Sequence, residues 1–331
     1  MKKAGNKQVL LVVNFSFQTF AGSDKDFIKH LPGRIPTWMD FDFEITDSLP
    51  KRKKSEYDFV IFYGENHWLH HECQMPYQPF SFINDLYRIK YKKVLYLGTE
   101  GRMVVDYNEV YRRLFQEWPY CDFNVFVVQN DFKYARPHQV SHLAGTWHSF
   151  VYDDEDQLDY DFFNRTSPEK TKTLAIVASN ASYASGHRDR IDFAHKIKDL
   201  FKDKIDFYGR GFNEFRNKYY TLSPYKYTIE MENGVQENYW TDKLIDAYLM
   251  ESYPIYYGCP NINDYFNEEA MTKIDINDFA SAAKTIEKVI DGNFYEKKYD
   301  RIKEAKDLIL NKYNFFNVLR DYCLRLEKVD D

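Results

Sequence analysis

Short apolar runs alternate with amphipathic stretches along this chain, and their order predicts strands separated by helices. Val9–Val13 is continuously apolar, as a strand buried on both faces should be. Further strands are predicted at Phe43–Thr46, Phe59–Tyr63, Val94–Leu97 and Val125–Val128, with helical spacing over Phe82–Ile89 and Glu109–Gln116. In the second half, Leu174–Val177 is a buried strand that stops at Ser179-Asn180, and Phe193 and Ile197 mark a helix over Arg188–Phe201. Ile205–Tyr208 then reads as a short strand ending in the turn Gly209-Arg210-Gly211. Tyr225–Met231 alternates and is rich in aromatic and β-branched residues. After a polar loop, Thr241 is placed to N-cap a helix with Leu244, Ile245, Tyr248 and Leu249 at helical spacing. Pro254 stops that helix and starts Ile255–Tyr257, which ends at Gly258. Ile274–Ile276 is a last strand. Phe279–Ile290 and Tyr299–Leu326, broken near Asn314, are closing helices.

Strand, crossover helix and strand in repetition is the pattern of a parallel sheet covered on both faces. A chain of 331 residues exceeds one ordinary core, so two domains are expected. The run from Tyr152 to Asp161 carries six acidic residues, and the chain stays polar through Pro168 to Lys172. Such a run suits an exposed connection. The first α/β domain is therefore placed at residues 1–162 and the second at 163–331, with the change near Asp161 to Lys172.

Composition narrows the function classes. Hydrophobic residues make up 44% and charged residues 29%, which describes a folded chain rather than a disordered one. A net charge of −6 argues against a nucleic-acid binder, which needs a basic stripe, even though 28 Tyr and 27 Phe could supply stacking surfaces. Those aromatics suit a cleft that stacks sugars or bases. Cys73, Cys121, Cys259 and Cys323 lack close spacing, so reduced thiols in a cytoplasmic protein are the simplest account. Nothing near Met1 reads as a signal peptide, and no run is long enough for a transmembrane segment.

Candidate chemistry gathers at Glu232, Asn233, Tyr239, Asp242 and Lys243, at the carboxyl end of a strand or in the first turn of the next helix. Ligands of open parallel sheets bind at such ends, and helix N-termini favour phosphate. A lysine in a first helical turn opposes the helix dipole, so Lys243 makes sense beside an anion. Two other groupings compete for attention. His67, His70, His71, Glu72 and Cys73 are possible zinc ligands, but no partner pair of matching spacing exists elsewhere. With Trp68 among them they read better as an aromatic loop facing a ligand. The triplet Asp40-Phe41-Asp42 has the form of a metal-binding D-x-D and is read as surface.

The ordered pattern Glu232-Asn233, Tyr239, Thr241-Asp242-Lys243, then Pro254-Ile255 and Gly258-Cys259-Pro260, resembles the donor-binding signature of glycosyltransferase family 10, the α-1,3-fucosyltransferases. It departs from the family in having Asp at 242, where Glu is usual, and Gly at 234, where Ser or Thr is usual. The resemblance runs from about Val94 to the closing helices. It implies two Rossmann-like domains facing across a cleft, the GT-B architecture, with the acceptor and base in the first and the nucleotide sugar in the second.

It also implies an inverting transfer of fucose from GDP-fucose to a glycan hydroxyl, α-1,3 to N-acetylglucosamine or glucose. The strand Val94–Leu97 ends in Gly98-Thr99-Glu100, which resembles a Thr-Gly-Glu whose carboxylate is the family's base. Glu100 is the candidate base, and Glu65 is the second candidate. Family members place an Arg facing the donor diphosphate after a Ser-Asn like Ser179-Asn180. Counting from Phe193 and Ile197 puts Arg190 there, with Arg188 as the alternative. Gly209 and Gly211 match a family Gly-x-Gly. The implied donor set is thus Arg190, Gly209, Gly211, Glu232, Asn233, Tyr239, Asp242 and Lys243. No cofactor or metal is required, GDP-fucose being a co-substrate, though a divalent cation can stimulate. The expected partners are a nucleotide-sugar donor and a glycan acceptor. The rival readings are a relative that uses another GDP-sugar and a non-catalytic binding relative.

Overall fold

A computed structural model of the protein describes residues 5–13, 27–46, 57–63, 94–97, 123–126, 156–178 and 185–328. It divides into two compact units, Met1–Ala144 with Phe315–Asp331, and Gly145–Asn314. Both are α/β with parallel sheets, the class predicted from the alternation of strands and helices.

The first unit contains β1 (Lys7–Val13), β2 (Thr37–Trp38), β3 (Phe41–Thr46), β4 (Phe59–Tyr63), β5 (Val94–Leu97) and β6 (Phe123–Phe126). Their order in the sheet is β2-β3-β1-β4-β5-β6, and only β2 is antiparallel to its neighbour. Val9, Leu10, Leu11 and Val13 are fully buried, as the unbroken apolar run demands. The Asp40-Phe41-Asp42 triplet works in this sheet. Asp42 accepts from Thr37 Oγ1 (2.9 Å), Asn6 Nδ2 (3.0 Å) and Gln8 Nε2 (3.1 Å), and Asp40 pairs with Arg320 at 2.6 Å. His30 is fully buried beside Phe27, Phe315 and Phe316, and burial pushes its pKa down to about 3, so it is neutral at ordinary pH.

The second unit begins with α1 (Tyr160–Arg165), then β7 (Lys172–Val177), α2 (Ser185–Phe201), β8 (Ile205–Tyr208), α3 (Lys218–Leu222) and β9 (Tyr225–Met231). It continues with α4 (Asp242–Leu249), β10 (Tyr253–Tyr257), β11 (Thr272–Lys273), α5 (Phe279–Asp291), α6 (Phe294–Lys297) and α7 (Tyr299–Leu310). Its five strands run β11-β10-β9-β7-β8, all parallel. Numbered within each unit, the parallel strands have the same order, 2-1-3-4-5. In such a sheet the chain reverses direction between its first and third strands, here β7 and β9, and ligands bind outside the carboxyl ends of those two strands.

The structure differs from the expected pattern in several places. The acidic connection is not wholly extended: Asp159 accepts from the Phe162 amide at 2.9 Å and caps α1, and Leu158 and Phe163 are buried. Helix α4 ends at Leu249, before Pro254, because Glu251 turns left-handed (φ 53°) and Pro254 lies inside β10. The closing helical pattern splits at Asn314 as predicted. Its second part, α8 (Phe315–Glu327), belongs to the first unit, where Phe316 packs edge-on against Phe43 and Trp38 Nε1 donates to Asn317. The last strand, β11, falls two residues ahead of the Ile274–Ile276 run. The helices predicted at Phe82–Ile89 and Glu109–Gln116 lie outside the described residues, as do Cys73 and Cys121. No described helix is long and apolar enough to cross a membrane.

Candidate functional site

The carboxyl ends of β7, β8 and β9 are held close by their glycines and one arginine. Gly209, at the end of β8, has φ 134°, and a Cβ there would lie 1.8 Å from the carbonyl oxygen of Ala178 at the end of β7. Only glycine permits that approach. Gly211 follows in the same turn, its amide donating to Glu214 (3.1 Å). Arg190 stands in the second turn of α2, is 7% exposed, and donates from Nη1 to the carbonyl of Met231 at 3.1 Å. It therefore ties α2 to the end of β9 at the point where the strand order reverses. Arg188, the alternative, is exposed.

Glu232 directly follows β9. Its amide donates to the Tyr257 carbonyl (2.8 Å), continuing the pairing with β10 by one residue. Its side chain is fully buried, and both oxygens are occupied. Oε1 accepts from the Thr241 amide and Oε2 from the Thr241 hydroxyl, each at 2.8 Å. Thr241 does sit at the N-cap of α4, but its hydroxyl serves Glu232 rather than the helix amides. The Lys243 ammonium lies 3.1 Å from Thr241 Oγ1 and 3.4 Å from Glu232 Oε2, with 21% of the side chain exposed. The buried carboxylate thus holds the ammonium itself, on a lysine that is still partly exposed. Close packing requires this: a Cβ on Gly258 would stand 2.5 Å from Glu232 Cγ and 2.6 Å from the Tyr256 hydroxyl.

Asp242 opens α4, its side chain 31% exposed, 3.8 Å from Lys243 and 3.8 Å from Lys218. Asn233 is half-buried at the start of the loop. Tyr239 is buried at 1% exposure, so its ring supports the loop from within. Glu232 and Tyr239, both named by the sequence pattern, are thus buried beside the loop. Arg190, Asn233, Asp242 and Lys243 surround the end of β9 and the start of α4. Glu100, Glu65 and the His67–Cys73 cluster lie outside the described residues, as do Ser179 and Asn180.

Residues that motif spacing did not single out hold this loop. Asn238 is left-handed (φ 64°), a conformation asparagine tolerates better than most side chains. Its amide donates to Asn261 Oδ1 (2.8 Å), and its own Oδ1 accepts from Asn261 Nδ2 (2.8 Å) and Tyr265 Oη (2.7 Å). Trp240 packs edge-on against Tyr265, Phe266 and Tyr313. The polar character of the loop and its single Trp were the available signals. Cys259 is buried beneath it, and burial pushes its thiol up to about 11, which makes it a neutral packing group. Among the described residues no cluster of His, Cys, Asp and Glu is arranged to hold a metal ion.

The arrangement offers an anion two cations anchored on consecutive residues, Arg190 on Met231 and Lys243 on Glu232, at the end of a central strand and beside a helix N-terminus.

Comparison with known proteins converges on the same segment. Residues 167–308 match the family model described as glycosyltransferase family 10 (fucosyltransferase) C-term. The chain is 35% identical over 77 residues to the alpha-(1,3)-fucosyltransferase FucT of Helicobacter pylori, covering 23% of this chain and 16% of that one. It is 26% identical over 200 residues to the 4-galactosyl-N-acetylglucosaminide 3-alpha-L-fucosyltransferase 9 of Mus musculus, covering 57% and 50%. The chain spans about half the length of the mouse relative and less of the bacterial one. Among solved structures, Anabaena Alr3699/HepE in complex with UDP-glucose has the same fold, with 10% identity, a TM-score of 0.52, and coverage of 97% of this chain and 99% of that one. The family match and the candidate site coincide in the second unit, whose residues 167–308 are similar to the C-terminal part of glycosyltransferase family 10.

Proposed function

We propose that the protein is an inverting glycosyltransferase that moves L-fucose from GDP-fucose to a hydroxyl of a glycan, α-1,3 to N-acetylglucosamine or glucose. The observation that carries this reading is the pair of cations, Arg190 and Lys243, fixed on Met231 and Glu232 where the strand order reverses. A diphosphate is the anion that fits such a site in a family 10 domain. In the transfer, the acceptor oxygen attacks the anomeric carbon and gives its proton to the Glu100 carboxylate. The bond from that carbon to the β-phosphate oxygen breaks, and the electron pair leaves with GDP. Arg190 and Lys243 stabilise the charge that grows on the diphosphate.

Asp242 and Asn233 hold hydroxyls of the ribose or the sugar, while Glu232 and Tyr239 act from below by fixing Lys243 and the loop. Gly209 and Gly211 let the backbone at the end of β8 approach the donor. The first unit supplies the acceptor side and the base. No resident cofactor takes part in this scheme, and a divalent cation would only aid the departing diphosphate. The buried thiols of Cys259 and Cys323 fit a cytoplasmic setting.

Transfer assayed with GDP-fucose and simple glycans tests the reading. Fucosylated product is expected from wild type and none from Glu100→Gln, whose GDP affinity should be unchanged. A second reading, another GDP-sugar as donor, is favoured by the short side chain of Asp242. Product from GDP-mannose but none from GDP-fucose would select it. A protein that binds GDP and transfers nothing would instead be a binding relative.

A further inference from the structure

Behind the site lies a buried set of charges that the transfer scheme does not use. Asn217 caps α3 by accepting from the Tyr220 amide at 3.1 Å, which puts Lys218 at the first helical position with its side chain 8% exposed. Its ammonium lies 3.1 Å from Asp246 Oδ2 and 3.8 Å from Asp242 Oδ2. Asp242 and Asp246 are four residues apart on α4 and so share the face that meets Lys218. Asp246 is completely buried, whereas Asp242 reaches the edge of the site. Lys218 therefore bridges the interior and the site.

A third carboxylate, Glu230 on β9, is 3% exposed, and its Oε1 accepts no hydrogen bond from the described residues. One lysine thus pairs with Asp246 and Asp242 and lies in the field of Glu230, with the Thr228 hydroxyl as the neutral neighbour on β9. Burial works against the Lys218 ammonium, but Asp246, Glu230 and Asp242 outweigh it and hold its pKa above the ordinary lysine value. Burial pushes Glu230 up to about 7, against the pull of Lys218. Stability alone would be better served by an apolar residue at 230, since a buried carboxylate without full hydrogen bonding is costly. The cluster makes sense if the place of Asp242 matters.

We propose that Lys218 is a positioning residue for the sugar end of the donor, acting through Asp242, with Glu230 as the buried carboxylate that competes with Asp242 for it. This rests on the reading of the site as a GDP-sugar site. Asp242 has a short side chain, so where Lys218 holds it decides which hydroxyl it meets. When Glu230 loses its proton it draws the lysine inward and weakens that hold.

Calorimetric titration with GDP and with GDP-fucose separates the possibilities, because GDP lacks the sugar. Lys218→Met should weaken GDP-fucose by about tenfold or more while GDP affinity stays within about twofold, which also shows that the fold survives. Lys218→Arg should recover part of the loss. In wild type, affinity for GDP-fucose should fall as pH rises through about 7, and Glu230→Gln should flatten that dependence. Equal loss of both ligands in Lys218→Met would remove the link to the sugar end and overturn the proposal, as would no loss at all. Should Lys218→Met not fold, an unchanged pH profile in Glu230→Gln overturns it alone. Wild type that binds neither ligand would defeat the reading of the site itself, and the proposal with it.

Discussion

The two ends of the second unit's sheet both bury a glutamate beside a lysine, and they use the pair differently. At the amino end, Glu251 accepts from Lys306 (2.7 Å), Ser167 (3.0 Å) and Tyr299, and Lys306 also donates to the Thr166 carbonyl. Lys170 nearby donates to the Ser223 and Met250 carbonyls and to Ser252 Oγ. At the carboxyl end, Glu232 is as deeply buried, but its lysine reaches the surface, beside Thr241 and Asp242. Side-chain exposure is 8% for Lys306 and 21% for Lys243. A closed set joins α7 to the turn after α4 and stabilises the fold. The other set keeps a cation at the surface, beside a helix N-terminus, where an anion can reach it.

Breaking the closed set should have the largest effect. Lys306→Met strands Glu251 in the interior and should lower unfolding free energy by about 3–5 kcal/mol, read from urea denaturation. Gly258→Ala comes next. Its Cβ would displace Glu232, so a loss of about 1–3 kcal/mol in stability should accompany weaker GDP binding. Lys243→Ala should cost less stability than Lys306→Met, about 1–2 kcal/mol, because both Thr241 hydrogen bonds to Glu232 remain and the lost ammonium stands 3.4 Å away rather than 2.7 Å, while GDP affinity falls by about tenfold or more.

The pH response sharpens the contrast further. Burial opposes the charge on Glu251, yet hydrogen bonds from Lys306, Tyr299 and Ser167 hold its pKa below the ordinary carboxylate value. Its contribution to stability is present at neutral pH and is lost as pH falls through that lowered value. Glu230 behaves oppositely. With its folded pKa raised to about 7 from 4.5, the folded state holds the proton more tightly, so stability declines as pH rises across that interval. Glu230→Gln should therefore gain on wild type between pH 5 and pH 8 by about 1 kcal/mol or more. Parallel slopes in the two proteins would contradict this.

Much of this architecture was legible from the pattern of residues. β9 runs over Tyr225–Met231 as its alternation predicts, and the break at Asn314 falls between α7 and α8. These features depend on local spacing and capping. What spacing could not show depends on contacts between distant residues. The return of α8 to the first unit rests on Phe316 meeting Phe43, and the end of α4 rests on a left-handed Glu251 tied to Lys306. The site divides in the same way. The positions of Arg190, Asn233, Asp242 and Lys243 around one strand end followed from motif order. The inward turn of Glu232 did not, because its partner Thr241 lies across a loop shaped by the distant Asn261 and Tyr265.

Calorimetric titration of GDP into wild type, Lys243→Ala and Lys306→Arg at neutral pH would test the central claim, that the carboxyl end of β9 is a diphosphate site. GDP should bind wild type and Lys306→Arg alike and bind Lys243→Ala about tenfold or more weakly. Equal GDP affinity in all three proteins would contradict the account.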